Sequence, residues 1–318
     1  MGYQAPFPTQ LEEVEFLRLY FHLEVRADFE LPELGLLQLR RELLAALKVL
    51  QRERDPEAVA EIRSVFFPDL PDDPVLVRRL QKPAPPLVLA PAINVAGRLQ
   101  AGGRILLPVL LFGAAIHHLE DFIDLFEQVG QQGLYKGEGY FFVEAVECED
   151  ASGVRSILRD ATEPRRELTP PVSDLAWWLE RLRLLGSGCR IELLSPLRLL
   201  SRGKPLFKAD FAALFPFILR RVSSMLAHCG PVDLGDDAGY FLTQAGRLST
   251  VANRLQWKDW RRLKRSDGNL DLGGLMGYLE IAGDELADIA WLLRLASLFN
   301  IGKGAAYGAG QFRLIDLP

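Results

Sequence analysis

The sequence predicts an α+β chain built from two tandem ferredoxin-like domains with antiparallel sheets. Three observations carry that prediction. The order strand, helix, strand, strand, helix, strand can be read twice along the chain, and this is the split βαβ arrangement. In both halves the last helix runs into a glycine-rich stretch with one lysine and then an apolar strand: Gly130 to Phe141 first, Ile301 to Leu314 second. The chain has 318 residues, 49% of them hydrophobic and 25% charged, which suits two domains with real cores. Duplication of one βαββαβ unit accounts for all three. Residues 10–150 are expected to form the first domain, 151–188 a connector and 189–318 the second domain.

From Glu15 to Ala27 the pattern alternates. Leu17, Leu19, Phe21, Leu23 and Val25 share one face, and Arg18, Tyr20, His22, Glu24 and Arg26 the other, as in a half-buried strand. Leu36, Leu39, Leu43 and Leu47 follow at helical spacing, with Arg40, Arg41 and Lys48 among the polar positions. Arg52 to Pro86 is charged and proline-punctuated, with one short helix. Leu87–Ala90 and Ile105–Leu111 read as strands, His117–Gln128 as a helix stopped by Gly130, and Tyr140–Glu147 as the closing strand. Val154–Leu158 extends a hairpin, and Asp174 starts a helix through Trp177 and Trp178. In the second half Cys189–Leu200 is a strand, Ala209–Ala227 a helix, and Leu248–Leu263 and Leu270–Ile281 are two strands. Leu286–Leu298 is a helix and Phe312–Leu317 the last strand. Each sheet is expected to have four strands.

Composition excludes several classes. No run of 18 or more apolar residues occurs, so no membrane span is expected. The N-terminus lacks the features of a signal peptide. Cys148, Cys189 and Cys229 are odd in number and without CxxC spacing, which argues against a disulfide framework or a zinc site. A cytoplasmic location without metal or cofactor is the expectation. The net charge of −5 hides an asymmetry. Between Arg247 and Arg265 lie seven basic residues (Arg247, Arg254, Lys258, Arg261, Arg262, Lys264, Arg265) and one acid, Asp259. Phosphate binding responds to that local field. Trp257 and Trp260 interleave it, as where bases stack; a solvated hairpin face would show the same charges.

The loop Gly302-Lys303-Gly304-Ala305-Ala306-Tyr307-Gly308-Ala309-Gly310 leads from helix to strand, whereas a Walker loop leads from strand to helix. Its four glycines let the backbone approach a ligand closely, and Lys303 adds a point charge. A tight turn packed on a sheet is the bland alternative.

Five blocks of the second half occur in the order seen in the RAMP superfamily of CRISPR-associated proteins. They are Ser195–Leu199 with Gly203–Leu206, Phe217–Ser224, Trp257–Arg262 with Arg265, Asp271–Gly277, and the Gly302–Gly310 loop. Leu111-Phe112-Gly113 and Gly130–Gly139 fit the same family in the first half. The chain most resembles CRISPR-associated protein six, the endoribonuclease family that trims precursor CRISPR RNA. The resemblance implies metal-independent cleavage in which the 2′-hydroxyl attacks the neighbouring phosphate, leaving a 2′,3′-cyclic phosphate and a 5′-hydroxyl. It implies CRISPR repeat RNA as partner, with other effector subunits as further partners. It also implies RNA contacts from Arg254, Lys258, Arg261, Arg262 and Arg265 and from Gly302, Lys303, Gly304, Gly308 and Gly310.

The chemistry needs a group to take the 2′-OH proton, one to protonate the 5′-oxygen, and cations for the charged transition state. Many members of the family place a histidine on or near the first helix. Here Leu36–Gln51 contains none. The candidates are His22 beside Tyr20 on the polar face of the first strand, His117 and His118 at the start of a helix, and Arg40, Arg41 and Lys48 as electrostatic stabilisers. Surface, capping and solvated-face roles compete with each. His228, at a helix end, reads as structural. Two further readings stay open: a non-catalytic RNA-binding subunit of an effector complex, and a nucleotide-binding enzyme built around the loop, which the absence of a Walker motif disfavours.

Overall fold

The structure, a computed structural model, describes residues 7–69, 83–91, 95–160, 162, 169–183, 185–259 and 273–317. The chain divides into two compact units. Val14–Asp174 form one; Leu175–Pro318 with Met1–Glu13 form the other.

The first unit is organised on β1 (Glu15–Val25), followed by β2 (Phe29–Leu31), α1 (Leu39–Glu53), α2 (Pro56–Phe66), β3 (Leu87–Leu89), β4 (Gly97–Leu99) and β5 (Arg104–Phe112). Then come α3 (Leu119–Gln132), the short α4 (Leu134–Gly137), β6 (Phe141–Glu149), β7 (Arg155–Asp160) and β8 (Ser173–Asp174). The main sheet runs β3-β5-β1-β6-β7, with β8 also on β1, and every pairing is antiparallel. The inner four strands have ferredoxin-like order. β7 and β8 make the sheet six-stranded rather than four-stranded, because Arg155–Asp160 and Ser173–Asp174 offer free backbone to the edge of β6 and the start of β1. Residues 151–188 therefore contribute strands to this sheet as well as connecting.

The alternation read in β1 is realised: Leu17, Leu19, Phe21, Leu23 and Val25 are all buried. Phe122 and Phe126 of α3 meet Phe21 at 5.9 and 5.0 Å, and α1 packs beside α3. These aromatic rings form the core of the unit. Asp55 caps α2 by accepting from the Ala58 amide at 3.2 Å, with Pro56 in the first turn where its missing N–H is harmless. The helix expected to stop at Gly130 continues to Gln132 and is capped at Gly133. Gly130 serves close approach instead, since a Cβ there would lie 2.3 Å from the Phe141 carbonyl oxygen. His117 and His118 precede the α-helix in a 3₁₀ turn, Gly113–His118.

The second unit contains α5 (Leu175–Arg181), β9 (Gly188–Leu197), a two-stranded hairpin of β10 (Leu200–Ser201) and β11 (Lys204–Pro205), α6 (Phe211–Cys229) and α7 (Ala238–Arg247). It continues with β12 (Ser249–Asn253), β13 (Gln256–Asp259), β14 (Gly273–Ala282), α8 (Leu286–Phe299) and β15 (Phe312–Asp316). The sheet order is β12-β14-β9-β15, again the ferredoxin order and antiparallel, with β13 also on β14. It is five-stranded because the long strand read from Leu248 breaks at Arg254-Leu255, where the Asn253 side chain accepts from the Leu255 amide at 3.1 Å and turns the chain. α7 was not legible in the sequence. Phe241 of α7 meets Trp291 of α8 edge-on at 5.7 Å, anchoring it to the core. Among the described residues no helix is long and apolar enough to cross a membrane, and no cluster of side chains is arranged to hold a metal ion.

Candidate RNA interface and catalytic residues

The polar face of β1 carries a dense charge network. His22 Nε2 lies 3.1 Å from a Glu147 oxygen on β6. The buried Tyr20 hydroxyl donates to Glu149 at 2.5 Å. Glu149 also faces Arg18 and Arg155, each at 3.6 Å, and the Arg155 guanidinium stacks 3.5 Å above the Tyr20 ring. Burial raises the Tyr20 pKa, and the Glu149 carboxylate adds to it, so the phenol keeps its proton at neutral pH. His22 and Tyr20 thus share a face, but their partners are carboxylates. Neither Glu147 nor Glu149 was singled out in the sequence; their spacing along β6 is the signal that places both beside β1.

The other catalytic candidates stand elsewhere in this unit. Arg40 and Lys48 are exposed on α1, and Arg41 bonds its neighbour Glu42, with Nε at 3.0 Å. Since α1 lies in the helix layer that covers Phe21, the sheet separates these cations from His22, which projects from the opposite face. His118 is occupied, with Nδ1 3.1 Å from Asp121 and Nε2 3.6 Å from Glu61, and its ring is edge-on to Phe66. It ties α2 to the first turn of α3. His117 is exposed. The structure does not bring the seven candidates into one cluster.

In the second unit the glycine loop is a compact knot docked on the end of β9. Ile301 N–H donates to the Gly310 carbonyl at 3.2 Å, and Gly310 N–H to Pro196 at 3.0 Å. Lys303 N–H reaches the Arg198 carbonyl at 2.9 Å. Ser195, fully buried, donates its hydroxyl to the Gly308 carbonyl at 2.6 Å and accepts from the Gln311 amide at 2.7 Å. The amides of Ala305, Tyr307, Gly308 and Ala309 are taken by carbonyls within the loop. Most of the loop's donors are therefore spent on its own shape. The exposed edge is Lys303-Gly304, while Gly308 and Gly310 are buried. Arg221, half-buried, donates from Nε and Nη2 to the Phe299 carbonyl at 3.3 and 3.0 Å, fixing the helix end from which the loop springs. Burial lowers the Arg221 pKa to about 10.

Next to the loop stands the β10–β11 hairpin. Its two-residue turn, Arg202-Gly203, has φ of 49° and 78°, the signs a primed hairpin turn demands. It presents Arg202 and Lys204 to solvent. Beyond it Phe207 packs on Trp257 of β13, and Asn253 Nδ2 donates to the Ala209 carbonyl at 2.9 Å. Exposed Arg254 and Lys258 lie on that same β12–β13 segment. Loop, hairpin and strand segment each present exposed cations: Lys303, Arg202 with Lys204, and Arg254 with Lys258, with Lys208 between the last two groups in sequence. Sequence reasoning found the loop and the strand segment and missed the hairpin, whose Arg-Gly turn between short extended pairs was the available signal. Arg261, Arg262 and Arg265 lie outside the described residues.

Residues 191–312, which span these segments, match the family model of the CRISPR-associated endoribonuclease Cas6, and residues 12–171 match the AF_1859_N family of N-terminal domains. The second half of the chain is thus similar to the Cas6 endoribonucleases. The curated proteins contain no match to this chain in sequence. Among solved structures, a partial Cas6-RT-Cas1–Cas2 complex aligns over 95% of this chain at 13% identity with a TM-score of 0.57. This chain spans 46% of that one. A Cas6 product complex aligns over 94% of this chain and 99% of its own, at 13% identity and TM-score 0.56. Thermus thermophilus Cas6 aligns over 95% and 99%, at 12% identity and TM-score 0.54. At such identities these structures establish a shared fold. The glycine loop and hairpin fall inside the stretch matched by the Cas6 model, and His22, Tyr20 and the α1 cations fall inside the matched N-terminal domain.

Proposed function

We propose that this chain binds CRISPR repeat RNA through the second unit's exposed cations and cleaves it without a metal ion. The observation that carries the reading is the set of exposed cations within the matched endoribonuclease stretch, Lys303, Arg202, Lys204, Arg254 and Lys258. Exposed cations meet phosphates, and a loop whose glycines are locked presents Lys303 at a fixed place. In the reaction the 2′-oxygen bonds to phosphorus as the bond to the 5′-oxygen breaks. The 2′ proton passes to a base, and a second proton reaches the departing 5′-oxygen. His22 is the proposed base; with Nε2 against Glu147, the ring's Nδ1 is the atom to take the proton. Tyr20, holding its proton, is the proposed donor on the same face. Other CRISPR proteins are proposed partners.

A second reading, a non-catalytic RNA-binding subunit, is favoured by one specific observation. The sheet lies between His22 and the α1 cations, so no described cation of α1 can assist His22 directly. Incubating the purified protein with repeat RNA in EDTA separates the two. A single cut supports the nuclease, and tight binding without a cut supports the subunit.

A further inference from the structure

Phe207 is 58% exposed, yet the backbone around it is fixed. Leu206 N–H bonds the Leu199 carbonyl at 3.0 Å on one side, and Asn253 holds the Ala209 carbonyl on the other. Asp210 next in line is occupied as the cap of α6, accepting from the Ala213 amide at 2.8 Å. The phenyl ring is therefore held out of the core by structure rather than left there by a loose loop. Its inner edge meets Trp257, with centroids 4.7 Å apart and planes at 62°. Trp257 in turn lies over Gly273, where any Cβ would come within 2.5 Å of the indole Cζ2. The glycine makes a notch that fixes the indole, and the indole backs the phenyl ring. Lys208 follows Phe207 and is exposed, while Lys258, the strand neighbour of Trp257, projects from the other face of the sheet. Asp210 is spent as a cap, and Asp259 lies on the same face of β13 as Trp257.

An exposed aromatic face on a rigid backing, with the exposed Lys208 next to it in the chain, fits one kind of occupant: an unpaired nucleobase with a flanking phosphate within reach of that lysine. We propose that Phe207, backed by Trp257, is a stacking site for an unstacked base of bound RNA, with Lys208 on a neighbouring phosphate. This rests on the RNA-binding reading above and adds to it a place where the RNA must be single-stranded. Stacking requires no particular base, so the site sets where RNA is unpaired rather than what its sequence is.

The test uses the full chain and a uridine-rich single-stranded RNA carrying one 2-aminopurine, whose fluorescence is quenched by stacking. Phe207→Ala is expected to weaken binding by about ten-fold to a hundred-fold and to abolish the quenching at the responsive position. Phe207→Leu, which keeps an apolar side chain but has no π-face, should behave like alanine, and Phe207→Trp should restore quenching. Lys208→Ala should flatten the salt dependence while leaving the quenching intact. Because the ring is exposed, the variants should melt with the wild type. If Phe207→Ala binds and quenches as wild type does, the stacking site is wrong while RNA binding stands. If the wild type binds neither this RNA nor a duplex of the same length, the RNA-binding reading fails, and the stacking site with it.

Discussion

Replacing Gly310 with alanine tests how the glycine loop is held. Gly310 has φ of 64°, and a Cβ there would sit 1.8 Å from the Ile301 carbonyl oxygen, a backbone atom with no side chain to rotate away. The left-handed conformation costs an L-residue about 1–2 kcal/mol. Relieving the overlap requires opening Ile301 N–H to Gly310 O and Gly310 N–H to Pro196 O, each worth about 1 kcal/mol net. The sum is about 3–4 kcal/mol. For a unit of roughly 150 residues this lowers the melting midpoint by roughly 10 °C. Gly304→Ala provides the comparison. Its φ is 85°, but the nearest atom to its Cβ is the Ala309 methyl at 3.3 Å, so the conformational cost of about 1–2 kcal/mol is nearly all of it. Calorimetry or urea unfolding of the full chain and both variants measures the difference. Equal destabilisation by the two substitutions would refute the reasoning, because the loop would then not be docked on β9 as described.

The polar face of β1 and the basic segment give further expected outcomes. Tyr20→Phe should cost the first unit about 1.5–3 kcal/mol in urea unfolding, the worth of a buried hydrogen bond to a charged acceptor. The Tyr20 pKa is raised above its ordinary 10.0, so the folded chain keeps a proton that the unfolded chain loses. Wild-type stability should therefore fall as pH rises past about 10, and Tyr20→Phe should lack that part of the fall. Arg254→Ala and Lys258→Ala should each weaken RNA binding and reduce the slope of log affinity against log salt by about 0.7. Arg261→Ala with Arg262→Ala should do the same, whereas neutralising Glu12 and Glu13 should do neither. His22→Ala should abolish cutting while leaving RNA affinity in place; unchanged cutting moves the search to His117, His118 and α1.

The fold was legible because its signals are periodic. Alternation in β1 and helical spacing in α1 each depend on residues a few positions apart, and the structure realises both. What was not legible depends on distant partners. Gly130 reads as a stop in sequence, but only the approach of Phe141 explains it. β7 and β8 add themselves to a sheet whose free edges the sequence does not reveal. In the site, Lys303 and the basic segment stood out by composition. The hairpin's Arg202 and Lys204 did not, being isolated charges until folding sets them on a hairpin. The pairing of His22 with Glu147 joins residues far apart in the chain, and no local pattern encodes it.

The central claim is in-line attack by the RNA's own 2′-hydroxyl, and the ends of the product test it most directly. Repeat RNA incubated with the protein in EDTA should give one cut. The mass of the upstream fragment should show a 2′,3′-cyclic phosphate, and a 2′-deoxy substitution at the cleaved nucleotide should abolish the cut without loosening binding. Cleavage of the deoxy substrate, or a strict need for Mg²⁺, would contradict the account.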